Sequence, residues 1–368
     1  MDKYEGYIFM EDGEFHPGRL YFEDGKIVSV EKIPEVSLSP EEASQYIIPG
    51  LVDIHSHGAF GHDTCDADEE GLLQMIKFLE SRGTTSYCPT TMTFHEDKLT
   101  DVVKAVAKAS EKDKTIKGIY LEGPFISREK CGAQNPDYIL KPDADMIERL
   151  NEASGNRVKV VAIAPETDGA MECIENLSQK YVCSIAHTTA CYDTAKLAME
   201  KGAGHVTHFY NAMPAYSHRA PGVIGAAMES DTAKVELIAD GIHVHPAVVK
   251  NTFKMFGPDR VILISDSMEA TGMPNGSYSL GGQEVFVEDR KATLKDGTIA
   301  GSASTLFDCL RTAIEMGVKR EDAIIAATRT PAKEIGIYGK VGSFAQGKDA
   351  DILICDKHLN LKEVVISR

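Results

Sequence analysis

The chain is poor in positive charge: 39 Lys and Arg stand against 56 Asp and Glu, a formal net charge of −17 over 368 residues. That balance argues against a generic nucleic-acid surface and against anionic membranes as partners. It still permits a phosphorylated metabolite, provided a basic side chain is placed in the pocket. Long apolar runs are also missing, and none approaches the ~20 residues that span a bilayer. The opening MDKYEGYIFMEDGEF lacks the basic-then-apolar layout of a secretory leader. The eight cysteines (65, 88, 131, 173, 183, 191, 309 and 355) form no C-x-x-C pair, and several lie in apolar, strand-like runs. This is the pattern of reduced, buried thiols in a cytoplasmic protein, not of a disulfide framework or a zinc knuckle. No G-x-S-x-G elbow supports a serine nucleophile. No Walker A motif and no G-x-G-x-x-G after a strand support nucleotide chemistry. Internal repeats, coiled coils and low-complexity tracts are absent as well.

With 43% hydrophobic and 26% charged residues, the composition is that of a soluble globular protein with ample core material. The length suits a large α/β barrel with a small appendage. MEDGEF and FEDGKI each set Asp-Gly between strand-like flanks, a hairpin signal. The far end, GSFAQGKDADILICDKHLNLKEVVIS, again alternates short β runs with turns. Two β-rich ends around an α/β middle predict one small β-sandwich domain built from both termini, residues 1–46 and 342–368. Between them, 47–341 repeats apolar run, loop and amphipathic helix. Strands are expected at 47–55, 84–90, 116–122, 158–164, 182–187, 204–209, 233–239 and 261–266. DEEGLLQMIKFLESRG spaces Leu72, Leu73, Met75, Ile76 and Leu79 at helical intervals and stops at Gly83. Eight buried-type strands alternating with helices predict an α/β fold of the (β/α)8 TIM-type barrel class. A β-hairpin insertion is expected near 277–300, after the last strand.

Barrels of this kind place their chemistry at the C-terminal strand ends. Those ends carry His55 and His57 (first strand), Glu122 (third), His187 (fifth), His208 (sixth) and Asp266 (eighth). His55 and His57, two apart on a strand, point the same way and can both face the bore. Any one of these residues could be an ordinary hydrogen-bonded strand end or a helix cap. Six at equivalent positions point to a divalent-cation site of the zinc or iron type. Such a cation polarises a carbonyl and lowers the pKa of bound water from ~15.7 toward ~7. Asp266 is placed to take the water's proton and return it to a leaving amine. The predicted chemistry is metal-assisted hydrolysis of an amide-like bond.

PGLVDIHSHG, LEGPF, AHTTA, THFYNAM, HRAPG, ADGIHV, ISDSMEATG and AGSAST run in order from about residue 47 to 310. In these motifs the chain resembles the amidohydrolase superfamily and, within it, the N-acetylglucosamine-6-phosphate deacetylases. The resemblance implies that Glu122, His187 and His208 hold the principal metal and that Asp266 is the catalytic acid/base. It implies substrate contacts at Ala133 and Gln134 of the loop after strand three, at Asn211 and Ala212, and at His243. Arg219 matches an arginine that reaches the phosphate of the neighbouring subunit's ligand, so a homodimer is implied. The family divides over the first-strand H-x-H motif. This chain keeps it, so one well-occupied metal position is expected, and a second, bridged through Glu122, is chemically possible at His55 and His57. The implied reaction takes N-acetylglucosamine 6-phosphate to glucosamine 6-phosphate and acetate in the cytoplasm. A deacetylase of N-acetylgalactosamine 6-phosphate is the alternative. A cyclic-amide hydrolase is disfavoured, because Glu122 stands where those enzymes often use a carboxylated lysine.

Overall fold

The computed structural model describes residues 1–367. Eight parallel strands line up as one sheet in chain order: Leu51–Ser56, Thr84–Thr91, Ile119–Phe125, Val158–Ile163, Val182–Ile185, His205–Val206, Lys234–Ile238 and Val261–Ile264. The first and last meet. The Asp266 N–H donates to the His55 carbonyl at 3.0 Å, and the His57 N–H to the Ser267 carbonyl at 2.8 Å. The sheet is thereby drawn into a (β/α)8 barrel whose closing seam lies at the end where His55, His57 and Asp266 sit. All eight expected strands are present, although the sixth is only two residues long.

The helices form for the reasons their sequences suggest. In Glu69–Ser81 the Asp68 carboxylate accepts the Glu70 and Gly71 N–H groups, both at 3.1 Å, capping the orphan donors of the first turn. That helix buries Leu72, Met75, Ile76 and Leu79 on one face. Leu73, on the flank of the stripe, is only half-buried. The core has two layers. Leu51, Leu121, Val161, Leu237 and Leu263 pack outward against the helices. Val52, Tyr120, Val160, Ile238, Ile262 and Ile264 fill the bore, closed below by Ala332, Ile335 and Val341.

The expected first strand, 47–55, is two strands. Gln45–Pro49 pairs antiparallel with Ile352–Asp356 (Ile47 opposite Ile354), whereas Leu51–Ser56 pairs with the barrel's second strand. The chain changes sheets at Gly50, which has apolar residues on both sides, so no break in hydrophobicity marks the crossing. The terminal sheet has six strands, in the order Leu361–Val365, Ile352–Asp356, Gln45–Pro49, Asp2–Phe9, Phe15–Glu23 and Lys26–Lys32. It curls until Ile27 exchanges hydrogen bonds with Gly347 and Lys348. The result is a small β-sandwich around Ile8, Leu20, Ile27, Ile47, Phe344 and Ile352. The insertion after the last barrel strand has three antiparallel strands (Gly276–Leu280, Gln283–Glu288, Lys291–Thr293), one more than a simple hairpin. Among the described residues no helix is long and apolar enough to cross a membrane. Six cysteines are buried, while Cys131 is half-buried and Cys191 exposed.

Gly50 is sterically required at the crossing. A Cβ there would lie 2.1 Å from Thr85 Oγ1 and 2.8 Å from Thr85 Cβ, in a buried spot with no room to yield. Gly50→Ala should cost about 1–3 kcal/mol through overpacking, seen as a lower urea midpoint at unchanged slope.

Candidate active site

The six strand-end residues predicted from sequence converge. Glu122 lies among four imidazoles. Its Oε1 is 3.0 Å from His208 Nε2, 3.3 Å from His187 Nε2 and 3.4 Å from His55 Nε2. Its Oε2 is 3.2 Å from His57 Nε2 and accepts the Gln134 amide at 2.6 Å. Asp266 Oδ1 closes the ring, 3.3 Å from His57 Nε2 and 3.5 Å from His55 Nε2. The residues form two donor groups, Glu122–His187–His208 and His55–His57–Asp266, and within each the ligand atoms all lie within 4.8 Å of one another.

These donors fit a divalent cation. The His187 Nδ1–H is taken by the Lys130 carbonyl at 2.7 Å, which leaves Nε2 as a lone pair. That lone pair faces His208 Nε2 at 3.0 Å and the same carboxylate oxygen. Imidazole lone pairs and a carboxylate converging on one point are what a cation satisfies. The second group matches in kind, since the buried His55 Nε2 has no hydrogen-bond partner. Charge follows geometry. Burial pushes the Glu122 carboxyl up, but His55 and His187 beside it outweigh that and hold it well below its ordinary range. Asp266 is likewise raised by burial and lowered further by His57 and His55, so it stays a carboxylate.

The backbone presenting these side chains is strained. His187, His208 and Asp266 have φ of +43°, +28° and +48°, and Tyr210 and Ala212 follow at +79° and +50°. Left-handed conformations in residues with a Cβ cost on the order of 1–3 kcal/mol each and gather at functional sites. Here each one turns a side chain or a loop at the end of a barrel strand.

A cavity of about 550 Å³ opens above the donors. His57, Glu122, His187, His208 and Asp266 form its floor, and Ala133, Gln134, Asn211, Ala212 and His243 are also in its wall. Gln134 is more than a contact in the loop after strand three: its amide donates to Glu122 while its carbonyl accepts the Thr93 N–H at 2.6 Å. The Ala133 carbonyl accepts the Gln283 amide at 2.6 Å, tying that loop to the inserted strands. Asp296, Thr298 and Ile299, just beyond those strands, complete the wall. His243 Nδ1 pairs with Asp240 Oδ2 at 2.8 Å, leaving Nε2 as the ring atom available to a ligand. Burial lowers the basicity of this histidine, but Asp240 outweighs burial and raises it. Asn211 donates its amide back to the His208 carbonyl at 3.1 Å, bracing the turn. Arg219 is the exception. It is exposed in the turn 217–220 and lies outside the cavity lining.

Sequence reasoning missed what lies beneath the ring. His55 Nδ1 pairs with Glu236 Oε2 at 2.8 Å, and Glu236 Oε1 with His205 Nε2 at 3.0 Å. Both new residues are fully buried. The available signal was a glutamate between Val235 and Leu237 in the strand KVELI.

Comparison with known proteins agrees with this geometry. The amidohydrolase family model matches residues 46–367. The N-acetylglucosamine-6-phosphate deacetylase of Bacillus subtilis (strain 168) is 39% identical, with 94% of this chain and 91% of the relative covered. An N-acetylgalactosamine-6-phosphate deacetylase of Escherichia coli O157:H7 is 32% identical, with 98% and 96% covered. A mutant N-acetyl-D-glucosamine-6-phosphate deacetylase of Mycobacterium smegmatis, solved in complex with N-acetyl-D-glucosamine-6-phosphate, superposes with a TM-score of 0.92 at 31% identity, covering 99% of this chain and 97% of that one. The chain belongs to the amidohydrolase family and, within it, to the N-acetylglucosamine-6-phosphate deacetylases.

Proposed function

We propose that this chain hydrolyses the acetamide of N-acetylglucosamine 6-phosphate, giving glucosamine 6-phosphate and acetate, with a divalent metal in its site. The observation that carries the reading is Glu122 between two donor groups at the mouth of a sugar-sized cavity, in a chain whose relatives carry out this reaction. Glu122, His187 and His208 would hold the principal ion, zinc or iron by the nature of the donors. His55 and His57 would provide a second position, with Glu122 between the two. A cation held there polarises the acetamide carbonyl and lowers the pKa of a water molecule in its reach.

The protein's own groups account for the remaining steps. Asp266, ionised and at the cavity floor, accepts a proton as the water oxygen bonds to the acetyl carbon. The same proton is then delivered to nitrogen as the C–N bond breaks, so the amine leaves neutral and the acyl group leaves as acetic acid, which gives up the second water proton to solvent and becomes acetate. His243, oriented by Asp240, offers Nε2 to the acetamide or the sugar. Asn211, Ala212, Ala133 and Gln134 shape the sugar pocket, and Gln134 also steadies Glu122. Arg219, exposed and outside its own cavity, fits a homodimer in which each subunit lends an arginine fork to the phosphate of its neighbour's substrate. The cytoplasm, with its reduced thiols, suits the eight unpaired cysteines.

Asp266→Asn should lower kcat by about 10²–10⁴-fold while the principal ion at Glu122, His187 and His208 is retained; near-normal turnover would remove Asp266 as the proton carrier. Chelation should abolish acetate release and added Zn²⁺ should restore it, whereas Glu122→Gln should purify with less metal and not recover. Arg219→Ala should raise KM for the phosphorylated sugar but leave that for unphosphorylated N-acetylglucosamine unchanged; equal kinetics with both substrates would take Arg219 out of the site. Acetate release across N-acetylglucosamine and N-acetylgalactosamine 6-phosphates decides the epimer, and a preference for galacto would replace the gluco assignment.

A further inference from the structure

Beneath the donor ring a line of buried charges crosses the barrel. Glu236 Oε2 accepts both the His55 Nδ1–H at 2.8 Å and the main-chain N–H of His208 at 3.0 Å. The Glu236 main-chain carbonyl accepts the Phe209 N–H at 2.8 Å. Its Oε1 accepts from His205 Nε2 at 3.0 Å, and the other His205 nitrogen, Nδ1, donates to Glu334 Oε1 at 2.9 Å. Glu334 Oε2 meets Lys234 Nζ at 2.7 Å, near the solvent at the opposite face of the barrel. With a carboxylate on each ring nitrogen, His205 carries both protons. Burial lowers its pKa, but Glu236 and Glu334 outweigh that and lift it to about 9.

Glu236 therefore contacts one member of each donor group. At His55 it takes the Nδ1 proton, which leaves Nε2 as the lone pair facing Glu122 and Asp266. At His208 it takes the N–H of a residue held at φ +28°, a conformation that needs outside support. We propose that Glu236, backed by His205 and Glu334, is the positioning residue that makes His55 and His208 metal ligands together and so joins the two donor groups from below. The inference rests on the metal-dependent reading above. A glutamate buried beside Val235 and Leu237 has a high desolvation cost, and three donors on one carboxylate are the compensation.

The test uses the full-length chain as wild type, Glu236→Gln and Glu334→Gln, each stripped of metal and titrated with Zn²⁺ against a chromophoric chelator. Thermal midpoints of the stripped forms and the visible spectrum of each Co²⁺-loaded form are recorded alongside. Glu236→Gln should weaken Zn²⁺ binding about 10–100-fold, the range for residues that orient metal ligands, and should change the Co²⁺ spectrum. Glu334→Gln, which touches no ligand, should move affinity in the same direction by less. Wild-type Zn²⁺ affinity in the folded variants would overturn the proposal, as would a lowered thermal midpoint with affinity unmoved, the result of a merely structural role. Should Glu236→Gln fail to fold, unchanged affinity in Glu334→Gln overturns it alone. A wild-type chain that takes up no divalent cation would defeat the metal-dependent reading instead, a different result from any of these.

Discussion

A carboxylate with negligible solvent contact must be compensated, and much of the active end of this molecule follows from how Glu122 is compensated. Four imidazoles and one amide surround it, drawn from the first, fifth and sixth strand ends and from the loop after the third strand. Isolated in a low-dielectric interior such a charge would neutralise itself. Here the surrounding groups keep it ionised, and its two oxygens face two separate donor groups. The constraint extends outward. Gln134 can reach Glu122 only because its loop is pinned to Thr93 and to the inserted strands, so the cavity wall and the donor ring are fixed together.

Closure of the barrel places the remaining donors. The main-chain bonds between 55–57 and 266–267 that complete the cylinder also set Asp266 against His57, and they act at a residue whose φ is positive. Strain of this kind survives only where the neighbouring structure over-determines it. At His208 that support comes from Glu236 below and Asn211 above. Stability and site geometry are therefore coupled locally: the groups that hold the strained turns also touch the donor residues.

Much of the site could be read from the sequence because strand-end chemistry is local. H-x-H on a strand, Glu before Gly-Pro, and His or Asp closing an apolar run are signals within a few residues. What escaped were partners distant in sequence. Glu236 and His55 are 181 residues apart, and Glu334 is 129 from His205, so neither pairing leaves a trace in periodicity. The change of sheet at Gly50 was hidden for another reason: both sheets demand buried apolar residues, and only a Cβ clash with Thr85 marks the crossing. Gln134 was expected at the substrate, but its hydrogen bond to Glu122 depends on a loop conformation that no residue pattern specifies.

By itself the sequence determined the alternation of strands and helices, the β-rich ends, and the residue types at each strand end, because these depend on side-chain chemistry at short range. Tertiary structure alone decided which nitrogen of His55, His57 and His187 would be left as a lone pair, and where Arg219 would lie relative to the cavity. Those outcomes depend on distances between strands far apart in the chain, and such distances exist only once the barrel has closed.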